Sequence, residues 1–207
     1  MSEKRLGMLL DLSLCIGCNA CVVACKQENA VPLTCFNTWI ESWDAKSESG
    51  VRRVNMPKLC NHCEDAPCVR VCPTGASYKA EDGTVQVDPE KCIGCKYCMA
   101  ACPYQARYQL ESGEVEKCTF CHHRSSQGML PACVATCVTH ARYFGDLNDP
   151  DSDISKKLAE KGGEALYADL GLNPSVFYIG LSETNAMPVA SAVHRGGNVV
   201  KPYEGVN

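Results

Sequence analysis

KCIGCKYCMAACPYQARY, Lys91 to Tyr108, is the stretch that decides how this chain folds. It sets Cys92, Cys95, Cys98 and Cys102 in a C-x2-C-x2-C-x3-C run closed by Pro103. Working outward, the same run recurs as Cys15, Cys18, Cys21 and Cys25. Two variants accompany it: Cys60, Cys63, Cys68 and Cys72, closed by Pro73, and the wider set Cys118, Cys121, Cys133 and Cys137. Only Cys35, of 17 cysteines, falls outside these four groups.

This spacing has a chemical reason. Three thiolates two residues apart curl round one cubane iron–sulfur cluster, with the intervening amides turned toward the sulfurs. The fourth Cys lies a helical turn further on, and in two-cluster ferredoxins it serves the neighbouring cube. Groups therefore work in pairs. Pro73 to Lys91 separates groups two and three by little more than a hairpin. They are expected to form one unit, with Cys60, Cys63, Cys68 and Cys102 on one cluster and Cys92, Cys95, Cys98 and Cys72 on the other. That leaves Cys15, Cys18 and Cys21 to be completed by Cys137, and Cys118, Cys121 and Cys133 by Cys25. The second unit is split in sequence and holds the first inside it.

Competing uses of cysteine fit less well. Structural zinc takes C-x2-C pairs set well apart and has no use for triplets followed by C-x3-C-P. Group four alone, with its wide central gap and Val138 in place of Pro, leaves a local zinc reading open. Disulfide scaffolds are short and do not pack cysteines at ligand spacing. The net charge of −4 argues against a nucleic-acid surface. No apolar run reaches the length of a bilayer span. The stretch after Lys4 and Arg5 is too short for a cleavable signal, contains Asp11 and runs into Cys15, and Met1 to Cys15 holds no twin-arginine pair. The chain is thus expected either to stay in the cytoplasm or to leave already folded on a signal-bearing partner.

The fold expected is α+β: two ferredoxin-like dicluster units, one inserted within the other, with short helices, hairpins and an extended C-terminal tail. Residues 1–59 form the first half of the split unit with an insertion, 60–117 the inserted unit, 118–150 the second half, and 151–207 a helix, a strand and a docking tail. Leu6 to Leu14 reads as a strand and Val22 to Asn29 as a short helix. Phe36 to Asp44 and Val51 to Met56 read as strands joined by a turn over Lys46 to Gly50. Trp39 and Trp43 there serve either to cover the clusters or to dock a partner. Ala76 to Lys79 and Thr84 to Val87 flank Asp82-Gly83 as a hairpin, and Ala106 to Leu110 and Glu114 to Glu116 repeat the pattern round Ser112-Gly113. Asp151 or Ser152 caps a helix through Ile154 and Leu158, ended by Gly162-Gly163. Val176 to Leu181 reads as a strand, and the polar close through Gly196-Gly197 to Asn207 as an extended tail.

Four stretches together carry a family likeness: LCNHCEDAPCVRVCPTGASY (Leu59 to Tyr78), KCIGCKYCMAACPYQARY (Lys91 to Tyr108), KCTFCHHR (Lys117 to Arg124) and ARYFGDLNDPDS (Ala141 to Ser152). From about Leu6 to Leu181 the chain resembles the four-cluster iron–sulfur subunits of molybdopterin oxidoreductases, the dimethyl sulfoxide, polysulfide and tetrathionate reductase group. CVATCVTHAR, Cys133 to Arg142, looks more like the tetrathionate and sulfur-compound type. The resemblance implies four [4Fe-4S] clusters and a relay between a molybdenum or tungsten pterin catalytic subunit and a membrane subunit that exchanges electrons with quinone. It implies a membrane-associated complex, on the periplasmic side by co-export or on the cytoplasmic face. A free-standing soluble polyferredoxin is the alternative. No dinucleotide loop, nucleophile with base, or open metal position marks the chain as an enzyme by itself.

His62, His122, His123 and His140 lie beside cysteines, but four thiolates per cluster leave them outside the ligand set. Lys91 and Lys117 each precede a first Cys, where a cation favours the reduced cluster if buried and does little if solvated. Cys35, between Thr34 and Phe36, reads as a free buried thiol.

Overall fold

The computed structural model describes residues 4–47 and 50–184. β1 (Leu6–Asp11) is buried along its whole length, as an unbroken apolar run requires of a strand covered on both faces. It leads into the first cysteine loop and α1 (Ala20–Glu28), then into a long hairpin of β2 (Thr38–Ser47) and β3 (Gly50–Leu59). α2 (Pro67–Arg70) precedes the hairpin of β4 (Ser77–Lys79) and β5 (Val85–Val87). The order repeats as α3 (Tyr97–Ala100), β6 (Arg107–Gln109) and β7 (Val115–Lys117). α4 (His122–Ser125), α5 (Ala132–Ala135), β8 (Arg142–Asp146), α6 (Asp153–Lys161) and β9 (Val176–Ile179) complete the described fold.

The topology explains how one unit sits inside another. β1 is the middle strand of a three-stranded sheet, antiparallel to β8 with Leu6 opposite Asp146 and parallel to β9 with Met8 opposite Val176. The chain therefore leaves this sheet, builds the two short hairpins, and returns to pair with its own beginning. The fold is α+β, with short helices and small sheets. Hydrogen bonds tie the parts together: the Leu6 amide donates to Asp82 O in the β4–β5 turn at 3.0 Å, and the Arg5 side chain donates to Ser175 Oγ and to the carbonyls of Asn173 and Pro174.

Element boundaries follow local chemistry. β1 stops at Asp11 rather than Leu14, because the buried Asp11 carboxylate accepts from the Ser13 amide at 3.0 Å and its hydroxyl at 2.5 Å, turning the chain into an Asx-type loop. β9 stops at Ile179, where Gly180 takes φ +77°. α6 begins as expected: Ser152 Oγ accepts from the Ser155 amide at 3.3 Å, and Gly162 at φ +73° ends the helix. β2 and β3 run further than their apolar stretches, to full register from Thr38 opposite Leu59 to Ser47 opposite Gly50. β8 was not legible in advance: with Arg142 and Asp146 at its ends and Gly145 inside, only Tyr143 and Phe144 mark it as a strand. The expected tail from Gly196 to Asn207 lies outside the described residues.

Cysteine sulfurs are part of the main core rather than attached to it. Cys21, Cys60, Cys63, Cys68, Cys98, Cys118 and Cys133 pack with Met8, Leu10, Met56, Leu59 and Tyr178, and Trp39 and Trp43 lie half-buried against that body. Cys35 stands apart, buried with Val31 and Tyr108 in a small second cluster. Cys35→Ser is expected to leave iron content and visible spectrum unchanged while lowering stability by about 1–3 kcal/mol, since it buries a hydroxyl in an apolar niche. Iron analysis and a thermal melt of the variant check both halves; loss of a whole cluster would show the cysteines to be wrongly grouped.

Candidate metal centres

Each cysteine group begins with the same backbone device. The residue before the second Cys is left-handed in all four: Gly17 at φ +71°, His62 at +43°, Gly94 at +67° and Phe120 at +54°. The two glycines are needed for space as well. A Cβ on Gly17 would lie 2.7 Å from Asn55 Oδ1, and one on Gly94 would lie 2.5 Å from Gly113 O. These turns let consecutive amides face inward, as at Phe120, whose N–H donates to Cys118 Sγ at 3.4 Å.

The closing cysteines repeat a second device. Three residues after Cys72, Cys102 and Cys137 stand left-handed Gly75, Gln105 and His140, followed by buried Ala76, Ala106 and Ala141. The turn delivers amides to sulfur: Ser77 N–H donates to Cys72 Sγ and Ala141 N–H to Cys137 Sγ, each at 3.3 Å. Val115 N–H, from the following hairpin, donates to Cys92 Sγ at 3.4 Å.

The structure brings together cysteines that are remote in sequence. Cys137 lies close enough to Cys15 for its charge to act there, as does Cys21. Cys25 has Cys133 and Cys121 as charge neighbours, and Asn29 Nδ2 spans Cys25 Sγ at 3.6 Å and Cys121 Sγ at 3.5 Å. Cys102 lies with Cys60 and Cys68 beside Cys63, and Cys72 lies beside Cys98. Cys118 has both Cys25 and Cys133 near it, and also Cys60 from the inserted stretch.

Electrostatics shows what such sets require. Burial, and then the neighbouring sulfurs, push the thiols of Cys25, Cys63 and Cys118 far above the ordinary range, and burial with Cys60 nearby lifts Cys102 to about 11. Cys72 goes the other way: burial raises it, but N–H and hydroxyl donors from Ser77 and Thr74 more than offset this. Buried thiolates in such company need a cation among them. All seventeen cysteines are free of disulfides. Among the described residues no three His, Cys, Asp or Glu side chains gather as round a single metal ion.

The side chains round the sulfurs divide into buried and solvated. His62 is fully buried, stacks on Phe120 at 3.7 Å and accepts from the Val85 amide at 3.0 Å. His123 pairs with Glu28 at 2.8 Å, His122 lies 3.3 Å from the Asp82 carboxylate, and His140 is exposed. Lys91 is solvated and paired with Asp88 at 2.9 Å. Lys117, in the same sequence position before a first Cys, is buried and donates to Val85 O and Cys118 O. Arg107 and Arg142 are also buried beside cysteines. Sequence reading passed over these two, although both stand five residues after a closing Cys, Cys102 and Cys137.

Models of the 4Fe-4S dicluster domain match residues 14–76 and 51–147. The B component of tetrathionate reductase from Salmonella typhimurium is 44% identical over 192 residues, covering 90% of this chain and 77% of that protein. The B component of polysulfide reductase from Wolinella succinogenes is 44% identical over 181 residues, 85% of this chain and 94% of the relative. The putative iron-sulfur subunit of dimethyl sulfoxide reductase from Halobacterium salinarum is 41% identical over 204 residues, 84% of this chain and 78% of the relative. With its thiol sets in place and similarity running along nearly its whole length, this protein belongs to the 4Fe-4S electron-transfer subunits of the molybdopterin oxidoreductases.

Proposed function

We propose that this chain is a linear electron relay whose two ends meet different partners, and that its sixteen grouped cysteines divide as the crossing pattern requires. Cys92, Cys95, Cys98 and Cys72 hold one terminal cluster, and Cys15, Cys18, Cys21 and Cys137 the other. Cys60, Cys63, Cys68 and Cys102, and Cys118, Cys121, Cys133 and Cys25, hold the two between. Residues 60–117 then form the inserted unit, 1–59 and 118–150 the split one, and 151–207 an appendage. The clusters supply reversible one-electron storage; the chain's own residues set where each sits, how dry it is and which sulfurs receive hydrogen bonds.

The observation that carries this reading is the distribution of exposure. Cys18 and Cys95, one from each terminal set, are exposed, whereas all four cysteines of the Cys118 set and three of the Cys60 set are buried. Apolar side chains rim the same two ends: Ile16, Val23 and Val138 near one, Ile93 and Tyr97 near the other, all exposed. A collisional carrier needs one such face; a relay needs two. The partners proposed are a molybdenum or tungsten pterin catalytic subunit at one end and a quinone-reactive membrane subunit at the other. The relatives named for tetrathionate, polysulfide and dimethyl sulfoxide reductases support that kind of complex. No helix among the described residues is long and apolar enough to cross a membrane; attachment to one is assigned to the partner as part of this proposal. The periplasmic side, by co-export, is the side proposed.

Three outcomes test this. The anaerobically purified chain is expected to carry about sixteen irons and about sixteen sulfides, bleached by dithionite; a value near twelve irons points to a three-iron or lost site, and stoichiometric zinc removes one group from the scheme. Added to a pterin-containing partner, the chain is expected to restore dye-linked electron flow while turning over no substrate alone; sustained reduction by the chain free of molybdenum and tungsten overturns the relay. Electron paramagnetic resonance tests the crossing: Cys137→Ala and Cys15→Ala are expected to perturb one shared signal. If Cys137→Ala instead matches Cys118→Ala, the groups close locally and the inserted-unit scheme fails.

A further inference from the structure

Three basic side chains are buried where a soluble fold rarely puts them: Arg107 and Arg142 at 4% exposure and Lys117 at 2%. Buried charge needs a counter-charge. The other buried cation, Lys58, finds one in Glu41 at 2.6 Å. Among the described residues these three form no such carboxylate pair; their opposite-charge neighbours are sulfurs, and Arg107 also lies near enough to Lys117 for the two like charges to act on each other. Arg142 donates to Cys21 Sγ at 3.3 Å and is held by Thr38 Oγ1 at 3.1 Å, with Cys133 and Cys137 also acting on its charge. Arg107 is held by Ser77 Oγ at 2.8 Å and faces Cys68, Cys60, Cys98 and Cys102, its Nη1 buried with no hydrogen-bond partner. Lys117, anchored on Val85 O and Cys118 O, faces Cys60, Cys68 and Cys118.

Sorting those sulfurs by the ligand sets proposed above gives a regular pattern. The charge of Arg107 acts on the set of Cys98 and the set of Cys60; that of Lys117 on the set of Cys60 and that of Cys118; that of Arg142 on the set of Cys133 and that of Cys21, to which it also donates. One cation stands at each of three junctions along a row of four. The two arginines occupy equivalent positions of the internal repeat, five residues after Cys102 and Cys137, and the lysine stands where the two units meet.

We infer that Arg107, Lys117 and Arg142 are positioning residues for electron transfer, one per junction, each stabilising the reduced state of both clusters it separates. A reduced cluster carries one more negative charge than an oxidised one. A fixed cation between two clusters lowers the cost of that charge on either side and so raises both midpoints together; the electron leaves one cluster, which is oxidised, and enters its neighbour, which is reduced, and no bond forms or breaks. Low local dielectric makes the effect strong, and its fall with distance makes it greatest on the two clusters beside each cation. The inference rests on the ligand sets proposed above.

The test is a redox titration followed by electron paramagnetic resonance on the full cluster-loaded chain, with iron and sulfide counted in each variant. Arg107→Gln, Lys117→Gln and Arg142→Gln are each expected to make two clusters harder to reduce, by at least tenfold in the reduced-to-oxidised ratio at fixed potential, or about 59 mV for one electron. The clusters moved by Arg107→Gln and Lys117→Gln must share one member, as must those moved by Lys117→Gln and Arg142→Gln; Arg107→Gln and Arg142→Gln must share none. Arg107→Lys, Lys117→Arg and Arg142→Lys keep the charge and are expected to hold the native midpoints. Full iron with unmoved midpoints, with one cluster moved, or with all four moved alike overturns the inference. If a glutamine variant loses iron, its charge-keeping counterpart decides: restored iron with native midpoints supports the role of charge, and lost iron or midpoints shifted tenfold leaves only a structural role at that junction. Failure of the ligand sets is read separately, from Cys137→Ala and Cys15→Ala perturbing different signals.

Discussion

Burying sulfur anions in groups is the constraint on which the rest of this molecule depends. A thiolate in an apolar interior is unstable alone, and several together repel one another, as the raised thiols of Cys25, Cys63 and Cys118 record. Iron resolves this by neutralising each set, so folding and cluster insertion become one process. That permits a core whose largest helices are nine residues long and whose two central hairpins have three-residue strands. Elements so short would be marginal if apolar burial alone held them.

The constraint also explains the backbone. A cysteine loop has to point amides at sulfur, and extended or helical chain points them elsewhere. Left-handed residues at fixed offsets solve the geometry, at Gly17, His62, Gly94 and Phe120 before the second cysteine and at Gly75, Gln105 and His140 after the closing one. Hydrogen bonds such as Ser77 N–H to Cys72 Sγ are the return on that conformational cost. The fold is non-local as well: Cys137 lies near Cys15 and Cys25 near Cys133, which requires the two ends of the chain's cysteine series to meet, and β1 paired with β8 brings them together.

Cysteine spacing and turn residues made much of this readable in advance, because both signals are local. The hairpins round Asp82-Gly83 and Ser112-Gly113 and the capped helix from Ser152 appear where their turn chemistry put them. What stayed hidden depends on three-dimensional neighbours. Lys91 and Lys117 have the same sequence setting, yet one is paired with Asp88 in solvent and the other is buried. Lys91 begins the outermost loop, while Lys117 ends β7 at the joint between units, and no local pattern distinguishes them. Arg107 and Arg142 were passed over for a related reason, since arginine is ordinarily a surface residue. β8 escaped because its five residues, RYFGD, carry charged ends and a glycine and leave only Tyr143 and Phe144 as strand signal.

His62 and Phe120 show how the two units are welded. They occupy the left-handed position that Gly17 and Gly94 fill in the loops of Cys15 and Cys92, where a Cβ would meet the Asn55 side chain and the Gly113 carbonyl respectively. A residue with a Cβ pays about 1–2 kcal/mol for that conformation, so glycine would be the easier choice unless the side chains return more. They do: the rings stack on each other at 3.7 Å, Phe120 meets Phe144 edge-on at 5.4 Å, and His62 accepts the Val85 amide. His62 lies in the loop of Cys60 and Cys63 and Phe120 in the loop of Cys118 and Cys121, so the contact joins those two cysteine loops. The strain is placed where the units join, and the same position relaxes to glycine at both ends, where the cysteines open to solvent.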